Sequence, residues 1–364
     1  MSGDLALSSL DPAERAELRS TVRAAASESG FPARAREFEG VSTDPGLDPD
    51  LWRLLSEEIG IAGVGLPESA GGLGGLAEIL DVAEELGAAL APVPFLSSTV
   101  LAGQILAACG DSALPYLERI VAGEIATAAI TDDAGRMGAI ACTAAGAVID
   151  GTVRFVSYGA SAAFLVVAAA TGDGTDIFVV EAADAHAQQL ASLDFTRPSA
   201  TVTFDSSAAV RLTIDGAGAA ALQHGVDIAL LAIAADQLGG AQRCFDMTLE
   251  YIKLRRQFNR EIGSFQAIKH RMADALMLVE MARSGLERAT WDHSDQQSVD
   301  AAVVKAWCTD AYNAVAAETI QLHGGVGFTW EHDAHLYFRR ARYDAAFLGD
   351  ATFHRARIAT LLDW

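Results

Sequence analysis

The order in which its patterns change constrains this chain more than any single motif. Between about residues 126 and 216 the sequence runs TAAITDD, AIACTAA, AVIDGTVRFVSY, AAFLVVAAAT, TDIFVVEAA and ATVTFDSS. These segments are short and rich in β-branched residues, and Gly, Asp and Ser separate them. Such spacing predicts a small antiparallel sheet or barrel, with Asp150-Gly151 as a hairpin turn. On both sides of this block the pattern is helical. Strands and helices never alternate as βαβ units, which argues against a doubly wound nucleotide-binding fold. The expected class is α+β, mainly α, with domains at 1–125, 126–216 and 217–364.

In the first domain Asp11 is placed to cap a helix that has Pro12 at its first position. Leu51, Leu54, Leu55 and Ile59 share one helical face, and Gly60 ends that helix. LAEILDVAEELGAAL and STVLAGQILAACG read as buried helices. In the third domain three long helical patterns follow one another, the last stopped by Gly324-Gly325. With HDAHLYFRRARYDAAFL and TFHRARIATLLDW they predict a helical bundle.

Composition narrows the partners. The chain is 51% hydrophobic, enough for a large core, and carries 48 acidic against 26 basic side chains. A net charge of −22 repels nucleic acid and anionic membrane surfaces, so neither is expected as a partner. No apolar run is expected to approach the roughly 20 residues that span a bilayer. The polar, acidic start is unlike a targeting peptide. The four cysteines lack CxxC spacing, which suits reduced thiols in the cytoplasm.

Three stretches invite a chemical reading. YIKLRRQFNREIGSFQAIKHR gathers Arg255, Arg256, Arg260, Lys269 and Arg271 around Phe258. It is either a solvated helix end or an anion site, with a new helix starting near Ser264. QLHGGVGFTWEH places three glycines behind Gln321; they make a helix cap, or they let a flat or phosphorylated ligand approach the backbone. His323, His332 and His335 suggest a metal, but without the HExxH arrangement they read as surface histidines on a capping turn, and no metal site is expected. No GxSxG elbow or Ser–His–Asp order occurs.

Together these pieces resemble the acyl-CoA dehydrogenase family of flavoproteins. The resemblance covers nearly the whole chain. It rests on LLSEEIGIAGVGLPESAGGLGG with EELG, and on YIKLRRQF, SFQAIKHRMAD and QLHGGVGFTWEHDAHLYFRRAR. It implies an N-terminal helical domain, a central β-barrel and a C-terminal four-helix bundle. It also implies FAD bound between subunits. Arg255 and Phe258 match the RxxF motif, and Gln321, Gly324 and Gly325 match QxxGG; in the family these hold the pyrophosphate and adenosine half of a neighbour's FAD. Gln266 belongs to the same expected set. The flavin-facing half departs from the pattern. TDDAGRMG keeps Thr131 of a TEPxAGSD-like loop but loses its proline and its ending, and FVS keeps the hydroxyl of a W-I-T/S motif as Ser157, with Phe155 for the tryptophan.

In the family a glutamate near the end of the bundle removes the substrate's α-proton. Leu348 stands there in this chain, and Ala229 stands at the other known base position. Asp350 and Asp227 each lie two residues away, a turn of roughly 200° on a helix, and are weak substitutes. The resemblance therefore implies a partner subunit of a heteromeric dehydrogenase, like the α2β2 enzymes of some actinobacteria that act on steroid side-chain CoA esters. A homologous subunit would supply the base, an acyl-CoA would be the substrate, and an electron-transfer flavoprotein would take the electrons. The competing expectations are a self-sufficient homomer with a displaced carboxylate and a non-enzymatic relative that binds acyl-CoA or protein.

Overall fold

The computed structural model describes residues 10–38, 46–138, 140–290 and 296–364; the start of the chain, on which the targeting argument partly rests, lies outside them. Helix α1 (Pro12–Glu28) begins as its sequence dictates. The Asp11 carboxylate accepts the Ala13 and Glu14 N–H groups while Glu14 reaches back to the Asp11 N–H. Helix α2 (Pro49–Arg53) continues as a π-helical turn, Leu54–Glu58, and Gly60 ends it with φ 86°. Helix α3 (Leu76–Ala88) is buried over most of its surface, and Asp81, Glu84 and Glu85 on it pair with Arg15, Arg19 and Arg23 of α1. A π-helical turn, Leu96–Ala102, then leads into α4 (Gly103–Ala108), with α5 (Leu114–Val121) after it.

The strands are β1 (Ala126–Ala129), β2 (Cys142–Ala145), β3 (Val148–Ser157), β4 (Phe164–Thr171), β5 (Gly174–Glu181), β6 (His186–Leu190), β7 (Ser199–Ala208) and β8 (Val210–Arg211). They form one sheet in the order β6-β7-β3-β2-β4-β5-β8, with β1 beside β4. The expected antiparallel pairing holds for β2–β3, β3–β7, β4–β5, β5–β8 and β6–β7, but β1 and β2 both run parallel to β4. Alternate residues of β4 serve two cores. Leu165, Val167 and Ala169 point into a core enclosed by the sheet, while Phe164, Val166 and Ala168 join the core shared with the helices. The Asp150-Gly151 hairpin is also corrected. Both residues lie inside β3, where the register shifts, and the Asp150 carboxylate accepts the Ser206 N–H at 2.8 Å. A Cβ on Gly151 would come within 2.7 Å of the Ala141 carbonyl, so the glycine permits a bulge here, not a turn.

The last domain holds α6 (Gly218–Leu254), α7 (Gln266–Ala289), α8 (Gln297–His323), α9 (Ala334–Ala346) and α10 (Ala351–Leu361), and α8 packs on all four others. Helix α6 is long and apolar enough to cross a membrane by length and composition, contrary to the sequence expectation. It is instead a core helix, with 72% of its most apolar window buried against the rest of the fold. Ile228, Leu230, Leu231, Ile233 and Leu238 are each buried, which stabilises by about 1.5–3 kcal/mol per side chain. Close approach of α3 demands Gly239, where a Cβ would lie 2.0 Å from the Glu84 carbonyl oxygen.

Candidate functional site

The basic stretch after α6 forms a tight hairpin. The strands β9 (Arg256–Gln257) and β10 (Arg260–Glu261) pair antiparallel, and Phe258 and Asn259 at the tip both have positive φ, 51° and 62°. Phe258 meets Phe265 edge to face at 6.1 Å and is still largely exposed. Arg260 stacks over Phe265 at 3.8 Å. Arg255 is exposed at the base of the hairpin and makes no ion pair with another described residue. Gln266, also exposed, opens α7; Ser264 lies before that helix and donates to the Glu261 carbonyl at 2.7 Å.

The glycine turn lies close by. Gln321 is exposed near the end of α8, and Gly324 follows with φ 63° and ψ −140°. A Cβ at Gly324 or Gly325 would meet nothing within 4 Å, so this backbone borders open space. Tyr251, one turn before Arg255, stacks on His323 at 4.3 Å between ring centroids and donates to its carbonyl at 3.4 Å. That contact ties the hairpin to the glycine turn. His323 and His335 are buried, which corrects their reading as surface residues. His323 packs ring to ring on His332 at 4.3 Å, and His335 meets Trp330 edge-on at 4.4 Å.

The inner cleft, between sheet and bundle, differs in kind. Thr131 is buried and its hydroxyl donates to the Arg154 carbonyl at 2.6 Å. Ser157 is buried too, and hydrogen-bonds the Tyr343 hydroxyl, which lies 2.9 Å from Ser199 Oγ. The loop after Thr131 is braced by Asp132, which accepts the Ala134 and Arg136 N–H groups at 2.8 Å. Its far end forms an isolated parallel bridge between Arg136 and Leu348. A cleft of about 240 Å³ remains, lined mainly by Phe155, Leu190, Leu193, Tyr343 and Phe347.

Both residues that the resemblance sets at the family's base positions are closed off from solvent. Leu348 is fully buried with φ 59°, and Ala229 is buried within α6. Asp350 caps α10, accepting the Phe353 N–H at 2.8 Å. Asp227 is buried and paired with Arg357 at 2.7 Å, and it also accepts the Ser298 hydroxyl.

Comparison with known proteins agrees with this layout. Residues 12–124 match the acyl-CoA dehydrogenase N-terminal domain, and residues 216–362 match the acyl-CoA dehydrogenase C-terminal domain. The chain belongs to the acyl-CoA dehydrogenase family. The acyl-CoA dehydrogenase IpdE2 of Mycobacterium tuberculosis is 36% identical over 339 residues, 93% of each chain. Among solved structures, the ChsE4-ChsE5 complex from Mycobacterium tuberculosis matches with TM-score 0.88 and 32% identity over 98% of both chains. The Tcur3481-Tcur3483 steroid ACAD variant matches with TM-score 0.84 and 30% identity, over 96% of this chain and 98% of that one. Acyl-CoA dehydrogenases are flavoprotein oxidoreductases, and this one is an oxidoreductase of that family. Sequence reading of this acyl-CoA dehydrogenase did not single out Tyr251, Arg136 or Tyr343, and took His323 only as a metal candidate or surface residue. Their contacts join residues far apart in the chain, and none carries a local pattern.

Proposed function

We propose that this chain is the base-lacking subunit of a heteromeric acyl-CoA dehydrogenase and serves an FAD held mainly by a homologous partner. The observation that carries the reading is the contrast between its two half-sites. In the inner cleft Thr131, Ser157 and the backbone at Leu348 spend their hydrogen bonds on the chain itself. That cleft does not fit an isoalloxazine, because the groups expected to meet one are already satisfied. At about 240 Å³ it is also below the ~300–1,000 Å³ of ordinary ligand pockets.

The outer half does fit. Arg255 can offer its guanidinium to a pyrophosphate, and Phe258 and Gln266 are exposed beside it. The open backbone at Gly324 and Gly325, next to Gln321, lets an adenosine lie close. FAD, when bound, supplies hydride acceptance from the substrate's β-carbon. This chain's residues orient the dinucleotide, and the proton-abstracting glutamate comes from the partner. Helix α7 leaves Leu276, Met277 and, one turn later, Met281 exposed, an apolar patch suited to a homologous bundle. The name of one similar structure, a steroid ACAD, supports a steroid-derived CoA ester as substrate; the proposal further takes an electron-transfer flavoprotein as acceptor and the cytoplasm as location. A homomer with a displaced carboxylate gains nothing from the geometry, since Asp350 and Asp227 are committed to a helix cap and an ion pair.

The test is purification of the chain alone and after co-expression with a glutamate-bearing homologue, with flavin content and acyl-CoA oxidation measured in each. Flavin and turnover should appear only in the co-expressed complex. A yellow, active lone chain would overturn the proposal.

A further inference from the structure

Where the sheet meets the bundle, a cluster of charged side chains is walled off from water. Arg340 of α9 is fully buried; its Nε donates to Asp194 at 2.5 Å and its Nη2 to Thr196 Oγ1 at 2.6 Å. Arg197 donates to Asp236 of α6 at 2.5 Å, and Arg340 Nη1 stands 3.6 Å from the second Asp236 oxygen. One turn further along α9, the carboxyl of Asp344 is 1% exposed and within hydrogen-bonding reach of Asp236. Lys305 of α8 points its ammonium elsewhere, to Thr309 Oγ1 and the Asp344 carbonyl, each at 2.9 Å, and to the Gly349 carbonyl at 3.5 Å.

Hydrogen-bond accounting fails here if every carboxyl is ionised. Asp236 Oδ2 and Asp344 Oδ2 are both buried and have no donor. They belong to facing helices, and as carboxylates they would turn lone pairs on one another in a dry interior, at a cost no protein accepts without compensation. Arg340 gives Nε to Asp194 and Nη2 to Thr196; its Nη1 and the Arg197 Nε are themselves unpartnered, Nη1 lying 3.6 Å from Asp236 Oδ2, and both guanidinium groups ion-pair with Asp236 while neither pairs with Asp344. A single proton cures both orphaned oxygens, because the O–H of one acid donates to the other.

We propose that Asp344 and Asp236 share one proton at neutral pH, and that this buried acid–carboxylate pair is a latch holding the walls of the inner cleft together. The proton resides on Asp344, since Asp236 already faces two guanidinium groups. Both walls attach at this point. Tyr343, Ala346 and Phe347 adjoin Asp344, and Leu193 and Ser199 flank the Asp194–Arg197 segment; all five line the cleft. Removing the proton sets a second negative charge against Asp236 and works to part them.

The surroundings agree with that assignment. Burial, and then the Asp236 charge, push the Asp344 carboxyl well above the usual carboxylate range, and it is the one carboxyl so raised among the described residues. Arg197 and Arg340 oppose the shift without cancelling it. From α8, burial pushes the Tyr312 phenol and the Cys308 thiol up, so neither becomes an anion near neutrality. Burial lowers Lys305 to about 8, and Asp344 and Asp350 act against that shift. His354, beside Lys305, is lowered to about 3 and stays neutral. The inference does not rest on the flavin reading.

The test compares the full chain with Asp344→Asn. Asparagine keeps the shape, and its N–H₂ donates to Asp236 without a proton to lose. An acid raised by folding costs stability as pH climbs from the unfolded value near ~3.9 towards the folded one. The Tm of D344N minus that of wild type should therefore grow from pH 4.5 to pH 8, by about 3 °C per pH unit. Parallel Tm curves would overturn the proposal. Infrared spectra give a second readout. Wild type at pH 7 should show a carboxylic-acid carbonyl band that D344N lacks. If D344N does not fold, the wild-type spectrum decides alone: the band supports the shared proton and its absence refutes it.

Discussion

Restoring the family's glutamate by Leu348→Glu should not make this chain an enzyme by itself, and should weaken its fold. Leu348 is fully buried, so the change forfeits roughly 1.5–3 kcal/mol of side-chain burial. The new carboxyl enters a site closed to solvent, and it either stays protonated or remains poorly paired, at about 1–3 kcal/mol more. The positive φ of 59° costs leucine and glutamate alike, so it does not change the balance. The total is about 2.5–6 kcal/mol. At the low end of the ~2–4 °C per kcal/mol seen for large domains, this lowers Tm by about 5–12 °C. Leu348→Met, which conserves volume, should cost under ~1.5 kcal/mol. Differential scanning fluorimetry reads the stability, and flavin absorbance with an artificial electron acceptor reads the function. A lone L348E chain that binds flavin and oxidises an acyl-CoA would refute the argument that the inner cleft is sealed.

Arg255→Ala should leave the Tm of the lone chain within about 1–2 °C, because the side chain is exposed, yet weaken FAD binding to the assembled complex ~10–150-fold, the loss of one charged hydrogen bond of about 1.5–3 kcal/mol. Flavin titration of the complex measures it. Met277→Asp combined with Met281→Asp should abolish co-purification with the partner without changing the circular dichroism of the chain, since both residues are exposed on α7. His354 is buried beside Lys305 and Arg357, and burial lowers it to about 3. Its unfolded value is near ~6.5, so its stabilising effect is complete above that pH and is lost as pH falls towards 3. His354→Asn should be less stable at pH 7 but should lose stability less steeply between pH 6.5 and pH 4 in urea titrations.

Local chemistry made much of the fold legible. Asp11 with Pro12 and Glu14 starts α1, Gly60 ends the helical run that begins with α2, and Gly324 stops α8, each through a few neighbouring atoms. The β block was visible because its inner strands are short apolar, β-branched runs with Gly, Asp and Ser between them, and β4 and β5 are buried on both faces. The strands β6 and β8 were not, because they lie at the sheet edges with mixed or exposed faces and carry little apolar pattern. The hairpin carrying Phe258 looked like a charged helix end, since nothing local announces positive φ at a phenylalanine. The candidate site divides the same way. Arg255, Gln321 and the glycines are adjacent in short motifs, whereas the closure of the inner cleft joins Ser157 to Tyr343 and Arg136 to Leu348, distant in the chain. Nothing local in FRRARYDAAF marks Arg340 and Asp344 as buried, and only tertiary packing reveals it.

The most direct test is the flavin stoichiometry of the purified complex with a glutamate-bearing homologue, from flavin absorbance against quantitative amino-acid analysis. One FAD per pair of unlike subunits, retained in full when Tyr343 is replaced by Phe in this chain, is the result predicted here. Two FAD per pair would place a flavin in the inner cleft of this chain and contradict the account.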